Sequence, residues 1–207
     1  MKHGYIVTTS CSIYSFLLLL AFSAIGLAPV QAATNYNGLN GVVTCGTSGT
    51  FTIENNVVVS AESCKGTATI PYGVTNVGAY AFSNNKISNV IIPSSLTEIG
   101  KGAFVFTELT YFYVPAGVTN IGMQAFAYNP NLLDIEVSPE NASFSSYNGI
   151  LLNKSGTVLL AHPSAKGANY AFPTNVSSIG PGAFSGAQLS YVAIPSSISF
   201  IGNQAGT

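Results

Sequence analysis

Arginine and tryptophan are absent from the 207 residues, and charged side chains of any kind make up only 6 %. Six lysines face seven acids, so the net charge is −1. A nucleic-acid surface needs a dense basic footprint, and a membrane-surface binder needs a polybasic cluster. Neither partner class fits. Aspartate occurs once, at Asp134, and histidine only at His3 and His162. A Ser-His-Asp triad would consume both Asp134 and His162. Paired carboxylates for glycoside hydrolysis would have to come from Asp134, Glu136 and Glu140. No glycine-rich stretch ends in Gly-Lys-Ser or Gly-Lys-Thr, so no phosphate loop is indicated. Three cysteines and two histidines, scattered along the chain, form no metal-ligand set. No cofactor, metal or enzymatic activity is expected.

What is present is apolar. Hydrophobic residues make up 47 % of the chain, the balance of a packed core and not of a disordered segment. The N-terminus has Lys2 and His3, an apolar run at residues 13–27, and then Pro29-Val30-Gln31-Ala32-Ala33. This is the order of a secretory signal peptide. Residues 1–32 are expected to be removed by cleavage after Ala32, with Ala33 as the alternative. The run is shorter than the about 20 residues of a membrane span. An uncleaved anchor is the rival reading, and membrane association is expected only in that case, through this segment alone. Cys11 lies ahead of the apolar run and is read as incidental.

Residues 33–64 read as a polar leader followed by an N-terminal β cap. Strands are expected at residues 42–45, 50–53 and 57–59, with turns at 46–49 and 54–56. Cys45 and Cys64 are the cysteines left after cleavage. In an oxidising compartment they are read as one disulfide; two buried thiols are the alternative.

From residue 65 a unit recurs. It reads Leu109-Thr110-Tyr111-Phe112-Tyr113-Val114-Pro115, then Val118, Ile121-Gly122 and Ala125-Phe126. It is matched by Ile87, Val90, Ile92-Pro93, Leu96, Ile99-Gly100 and Ala103-Phe104, and again from Leu189. A fixed period marks a repeat architecture whose coils bury their apolar faces only by stacking. Leu109, Phe112 and Val114 face inward on a short strand. Pro115 ends it, Gly122 allows a tight bend, and Phe126 fills the space between coils. Residues 139–148 are expected to form a polar loop and residues 149–163 a hairpin that interrupts the array. The fold class is therefore a repeat solenoid of five to six coils, right-handed, with a parallel β-sheet face and little regular helix.

The recurring Ile-Pro, Val, Ile-Gly and Ala-Phe positions resemble the BspA-type (treponemal-type) leucine-rich repeat. The inserted segment with Gly149-Ile150-Leu151 and Ala161-His162-Pro163 resembles an interruption found in that family. The resemblance implies a secreted or cell-surface protein used for adhesion and protein binding. The ladder position usual for Asn in leucine-rich repeats holds Ser95, Gly117 and Ser197 here.

Outward strand positions form the candidate ligand-binding face: Asn89 and Ile91, Tyr111 and Tyr113, Asp134 and Glu136, then Tyr191. Tyrosine combines contact area with a polar tip, though it also suits any exposed strand. The expected partner is an extracellular protein or glycan. A structural spacer within a larger surface protein is the alternative, and an enzyme the remote one. The sequons at Asn141, Asn153 and Asn175 matter only in a host that glycosylates. The last coil lacks the expected Phe at Gly206. Either more chain follows Thr207 or the last coil self-associates. Export is tested by intact-mass analysis: secreted protein should lack residues 1–32, whereas full-length chain in membranes would support the anchor.

Overall fold

The computed structural model describes residues 39–167 and 172–205. The expected signal peptide, most of the leader, Tyr170-Ala171 and Gly206 lie outside them. The described chain begins with alternating strands, β1 (Gly41–Thr44), β2 (Ser48–Glu54) and β3 (Val57–Thr69), in an antiparallel meander. β2 turns Phe51 and Ile53 inward. Asn55 and Asn56, with φ of 50° and 68°, close the β2–β3 turn in the left-handed region a two-residue hairpin favours. Cys45 and Cys64 are joined, their Cα atoms 5.3 Å apart, an ordinary disulfide span. The strand expected at residues 57–59 runs on through 13 residues. The boundary placed after Cys64 therefore falls inside one continuous strand.

β3 starts two parallel ladders. Its first residues pair with β4 (Asn76–Val77), which leads to β6 (Glu98–Ile99) and β8 (Asn120–Ile121). Its last residues pair with β5 (Lys86–Ile91). β7 (Tyr111–Val114) pairs with β9 (Asp134–Val137) in a separate two-stranded sheet. Glu108 N donates to Ile87 O at 3.1 Å and Thr110 N to Ser88 O at 3.4 Å, which carries β7 alongside β5. The repeat thus builds ladders on two sides of the coil, not the one sheet expected. No helix occurs among the described residues.

Glycine after isoleucine lets successive coils approach closely, and a Cβ is excluded there by the neighbouring backbone. A Cβ on Gly100 would lie 2.6 Å from Ala79 N of the preceding coil, where only a bare Cα fits. Gly100 N donates to Val77 O at 2.7 Å and Gly122 N to Ile99 O at 2.7 Å. Phe82, Phe104 and Phe126 stack with centroids 5.4 and 6.1 Å apart and planes within 7° of parallel. Phe51 of the cap closes the stack on Phe82 at 5.4 Å.

Buried polar side chains complete the coils. Asn85, Thr107 and Asn129 occupy one position in successive repeats. Asn85 accepts from Cys64 N and Asn129 from Thr107 N, and both amides donate to backbone carbonyls. Ser95, in the position usual for Asn, accepts from Gly73 N and donates to Val74 O. Each such bond satisfies a group that would be costly to bury alone.

The hairpin of β11 (Ile150–Asn153) and β12 (Val158–Ala161) is present. The loop expected at residues 139–148 is corrected: β10 (Phe144–Tyr147) pairs antiparallel with β11. Asn148-Gly149, with φ of 46° and 72°, makes the tight turn between them. Asn141 pins its start, donating to Pro115 O and Val118 O and accepting from Ser143 N and Phe144 N, each at 2.8 Å. β12 then pairs in parallel with β13 (Ser178–Ile179), and β13 with β14 (Phe200–Ile201). Strand alternation makes β11 a wall between two cores. Leu151 belongs to the first, and Ile150 and Leu152 to the second.

The last coil departs from the pattern. Residues 189–195 form no strand. Ile194 and Ile201 are 46 % and 53 % exposed, while their counterparts Val114 and Ile99 are sealed at 0 %. The Phe stack gives a direct test. Phe104→Ala and Phe126→Ala should each cost about 3–5 kcal/mol by leaving a cavity between coils. Asn89→Ala, at an exposed position, should change a denaturant melt little.

Candidate functional site

The candidate face is built by β7 and β9. Alternation along β7 buries Phe112 and Val114 and leaves Tyr111 and Tyr113 at 37 % and 43 % exposure. Parallel register sets Tyr111 beside Asp134 and Tyr113 beside Glu136. The Tyr111 hydroxyl reaches diagonally and donates to Glu136 Oε2 at 2.9 Å. Partial burial and this bond to a carboxylate push the Tyr111 phenol up to about 12, so the ring stays neutral and its tip stays fixed. Asp134 is engaged elsewhere: Lys166 Nζ lies 2.6 Å from its Oδ1. Glu136 has no cationic partner among the described residues.

Asn89 and Ile91 are exposed on β5, one strand away from the tyrosines. Tyr191 is not brought to this face. It is 71 % exposed and lies on no strand, and the inserted β-structure separates its coil from β9. The neighbour on that side is β10. Val137 N donates to Ser146 Oγ at 3.1 Å and Ile135 N to Gly149 O at 2.8 Å. This brings the half-exposed Tyr147 to the edge where Tyr191 was expected. The signal for it was the Asn148-Gly149 turn.

The two singletons that a triad would need have structural work. His162 takes the place of the repeat's Phe in the interrupted coil. His162 N donates to Ala183 O at 2.7 Å, as Phe82 N does to Ala103 O at 2.8 Å. Its ring packs on Phe184 at 5.3 Å. Burial pushes the imidazole down to about 4, with Lys166 adding to the effect. A cavity of about 180 Å³ lies beside it, lined by Met123, Gln124, Phe126, Leu151 and Ala183. Beside it Gln124 Nε2 donates to Ser185 Oγ at 3.0 Å. No group of three or more His, Cys, Asp or Glu side chains among the described residues could hold a metal. No described helix is long and apolar enough to cross a membrane. Two sequon asparagines are also structural: Asn141 is fully buried, and Asn153 accepts from Thr157 N and Val158 N.

Comparison with known proteins matches this architecture. The BspA type leucine rich repeat region matches in six copies, over residues 50–148 and 164–205. The unmatched gap falls on the β11–β12 hairpin. A leucine rich cell surface protein from Faecalibacterium prausnitzii is 34 % identical, with a TM-score of 0.59, over 67 % of this chain and 38 % of that one. A leucine-rich repeat protein from Eubacterium ventriosum shares the fold at 18 % identity and a TM-score of 0.60, over 81 % of this chain and 63 % of that one. The chain therefore spans less than two thirds of either neighbour. No curated protein matches it.

The buried imidazole has a pH consequence. His162 titrates near 4 when folded, against an ordinary 6.5, so between those values protons favour the unfolded chain. Stability should be full above about pH 6.5 and fall as pH drops, by up to about 1.4 kcal/mol per unit. Urea melts between pH 6.5 and 5 should show this slope in the parent and a flatter one in His162→Phe.

Proposed function

We propose that this chain, which belongs to the BspA type leucine-rich repeat family, is a non-catalytic recognition module displayed outside the cytoplasm. Its strand face, centred on Tyr111 and Tyr113 with Asn89, Ile91 and Glu136 around them, holds an extracellular protein or glycan in an adhesive contact. The observation that carries this reading is the pair of half-exposed rings held side by side on a paired strand, one of them fixed through Glu136. Aromatic anchors that lose little freedom on binding are typical of interface hot spots.

The location is supported by two facts. The Cys45–Cys64 disulfide suits an oxidising compartment. The Faecalibacterium protein is described as a cell surface protein. A spacer role is the second reading, favoured by the chain's matching only 38 % of that protein.

Surface plasmon resonance separates the two. The chain and its Tyr111→Ala/Tyr113→Ala variant would be immobilised and exposed to a panel of purified matrix proteins and mucin glycans. Recognition predicts a ligand that the variant binds at least about tenfold more weakly, the loss of a hot spot, with the melting temperature nearly unchanged. A ligand bound equally by both, or no ligand at all, favours the spacer.

A further inference from the structure

The same face constrains the chemistry of what it binds, an inference that rests on the recognition reading above. Tyr111 and Glu136 form one unit through the 2.9 Å bond. Parallel register places Glu136 beside Tyr113 as well. A partner that covers the two rings must therefore also cover this carboxylate. Burying an ionised carboxylate without a counter-charge costs several kcal/mol, more than a pair of aromatic contacts returns.

Among the described residues no lysine pairs with Glu136. Lys166 is held on Asp134. Lys65 and Lys86 face each other where β3 and β5 begin to pair, and neither forms an ion pair with Glu136. The Tyr111 hydroxyl gives Glu136 one neutral hydrogen bond at Oε2, and Oε1 has no partner among the described residues. Asp134, by contrast, is already neutralised, so the face carries one uncompensated charge and not a diffuse acidic patch. The two rings beside Glu136 offer negative π faces, which favour a cation over an anion.

We infer that the partner at this face is a protein segment that presents a lysine or arginine against Glu136, its stem lying along Tyr111 and Tyr113. A neutral oligosaccharide would stack on the rings but leave the charge uncompensated. An acidic segment would add a second like charge.

The test uses short peptides as probes and the tyrosine ring resonances as the readout. A pentapeptide with a central lysine, the same peptide with acetyl-lysine, one with glutamate, and a neutral cello-oligosaccharide would each be titrated into the folded chain. The lysine peptide should shift the Tyr111 and Tyr113 ring signals saturably, with the shift suppressed by 0.5 M salt (about a 4 Å screening length). The acetylated and acidic peptides should not. Glu136→Gln keeps the shape and an acceptor for Tyr111, and should weaken the lysine peptide about tenfold, as expected for losing a desolvated charge partner. Shifts from the oligosaccharide that Glu136→Gln leaves unchanged would overturn the inference while keeping the recognition reading. So would a matrix ligand whose binding needs the tyrosines but is indifferent to Glu136→Gln and to salt. A ligand indifferent to the tyrosines as well would remove the reading itself.

Discussion

The contact between one coil's backbone and the next is the constraint on which everything else in this molecule depends. A single coil has too few partners to satisfy its own amides or cover its own apolar side chains. Gly100 N reaching Val77 O and Gly122 N reaching Ile99 O tie each coil to its predecessor at a fixed offset. That approach is close enough to exclude a Cβ at Gly100. Once backbones are locked at this distance, the phenylalanines have one way to sit, in a near-parallel stack. The polar side chains at Asn85, Thr107 and Asn129 fall into register as a further set of bonds. The cap follows the same logic, since β3 continues without a break from the disulfide-linked meander into both ladders.

The exposed face inherits its order from this buried scaffold. Tyr111 and Tyr113 point outward because Phe112 and Val114 must point in. They meet Asp134 and Glu136 because β9 pairs with β7 in parallel. Side chains held by a ladder lose little entropy when a partner arrives, which is the energetic advantage of a sheet over a loop as a recognition surface. The insertion limits the face on one side. It also splits the interior, with the alternating residues of β11 serving a core on each side. His162 stands where a Phe would stand in an uninterrupted coil.

The sequence was most legible where one residue type can do the job. Pro93, Pro115, Gly100, Gly122, Phe104 and Phe126 recur because a strand stop, a bare Cα and a large flat ring have no close substitutes. It was least legible where several types serve equally. Asn85 and Asn129 each accept from a backbone N–H of the preceding coil, while Thr107 at the same position donates to Phe104 O, so no repeated letter marks the site. β10 was hidden because Ser145 and Ser146 carry little strand preference, and its strand character comes from pairing with β11. Tyr191 fits the strand pattern yet lies on no strand, since pairing is set by long-range packing and not by the local pattern. The Asp134–Lys166 pair joins residues 32 apart across the insertion, a separation no local pattern encodes.

Deleting one coil tests the stacking constraint most directly. Removal of residues 87–108 takes out one 22-residue period, the offset seen in Gly73 to Ser95 and Asn76 to Glu98, and joins Lys86 to Leu109. The account predicts a folded, cooperatively melting β protein that keeps Tyr111 and Tyr113 exposed, with the shortened strand face now following β3 directly. Deletions one residue longer or shorter should lose cooperative melting, because every inter-coil bond and the phenylalanine stack would fall out of register. Equal stability of all three deletions, measured by circular dichroism and calorimetry, would contradict the account.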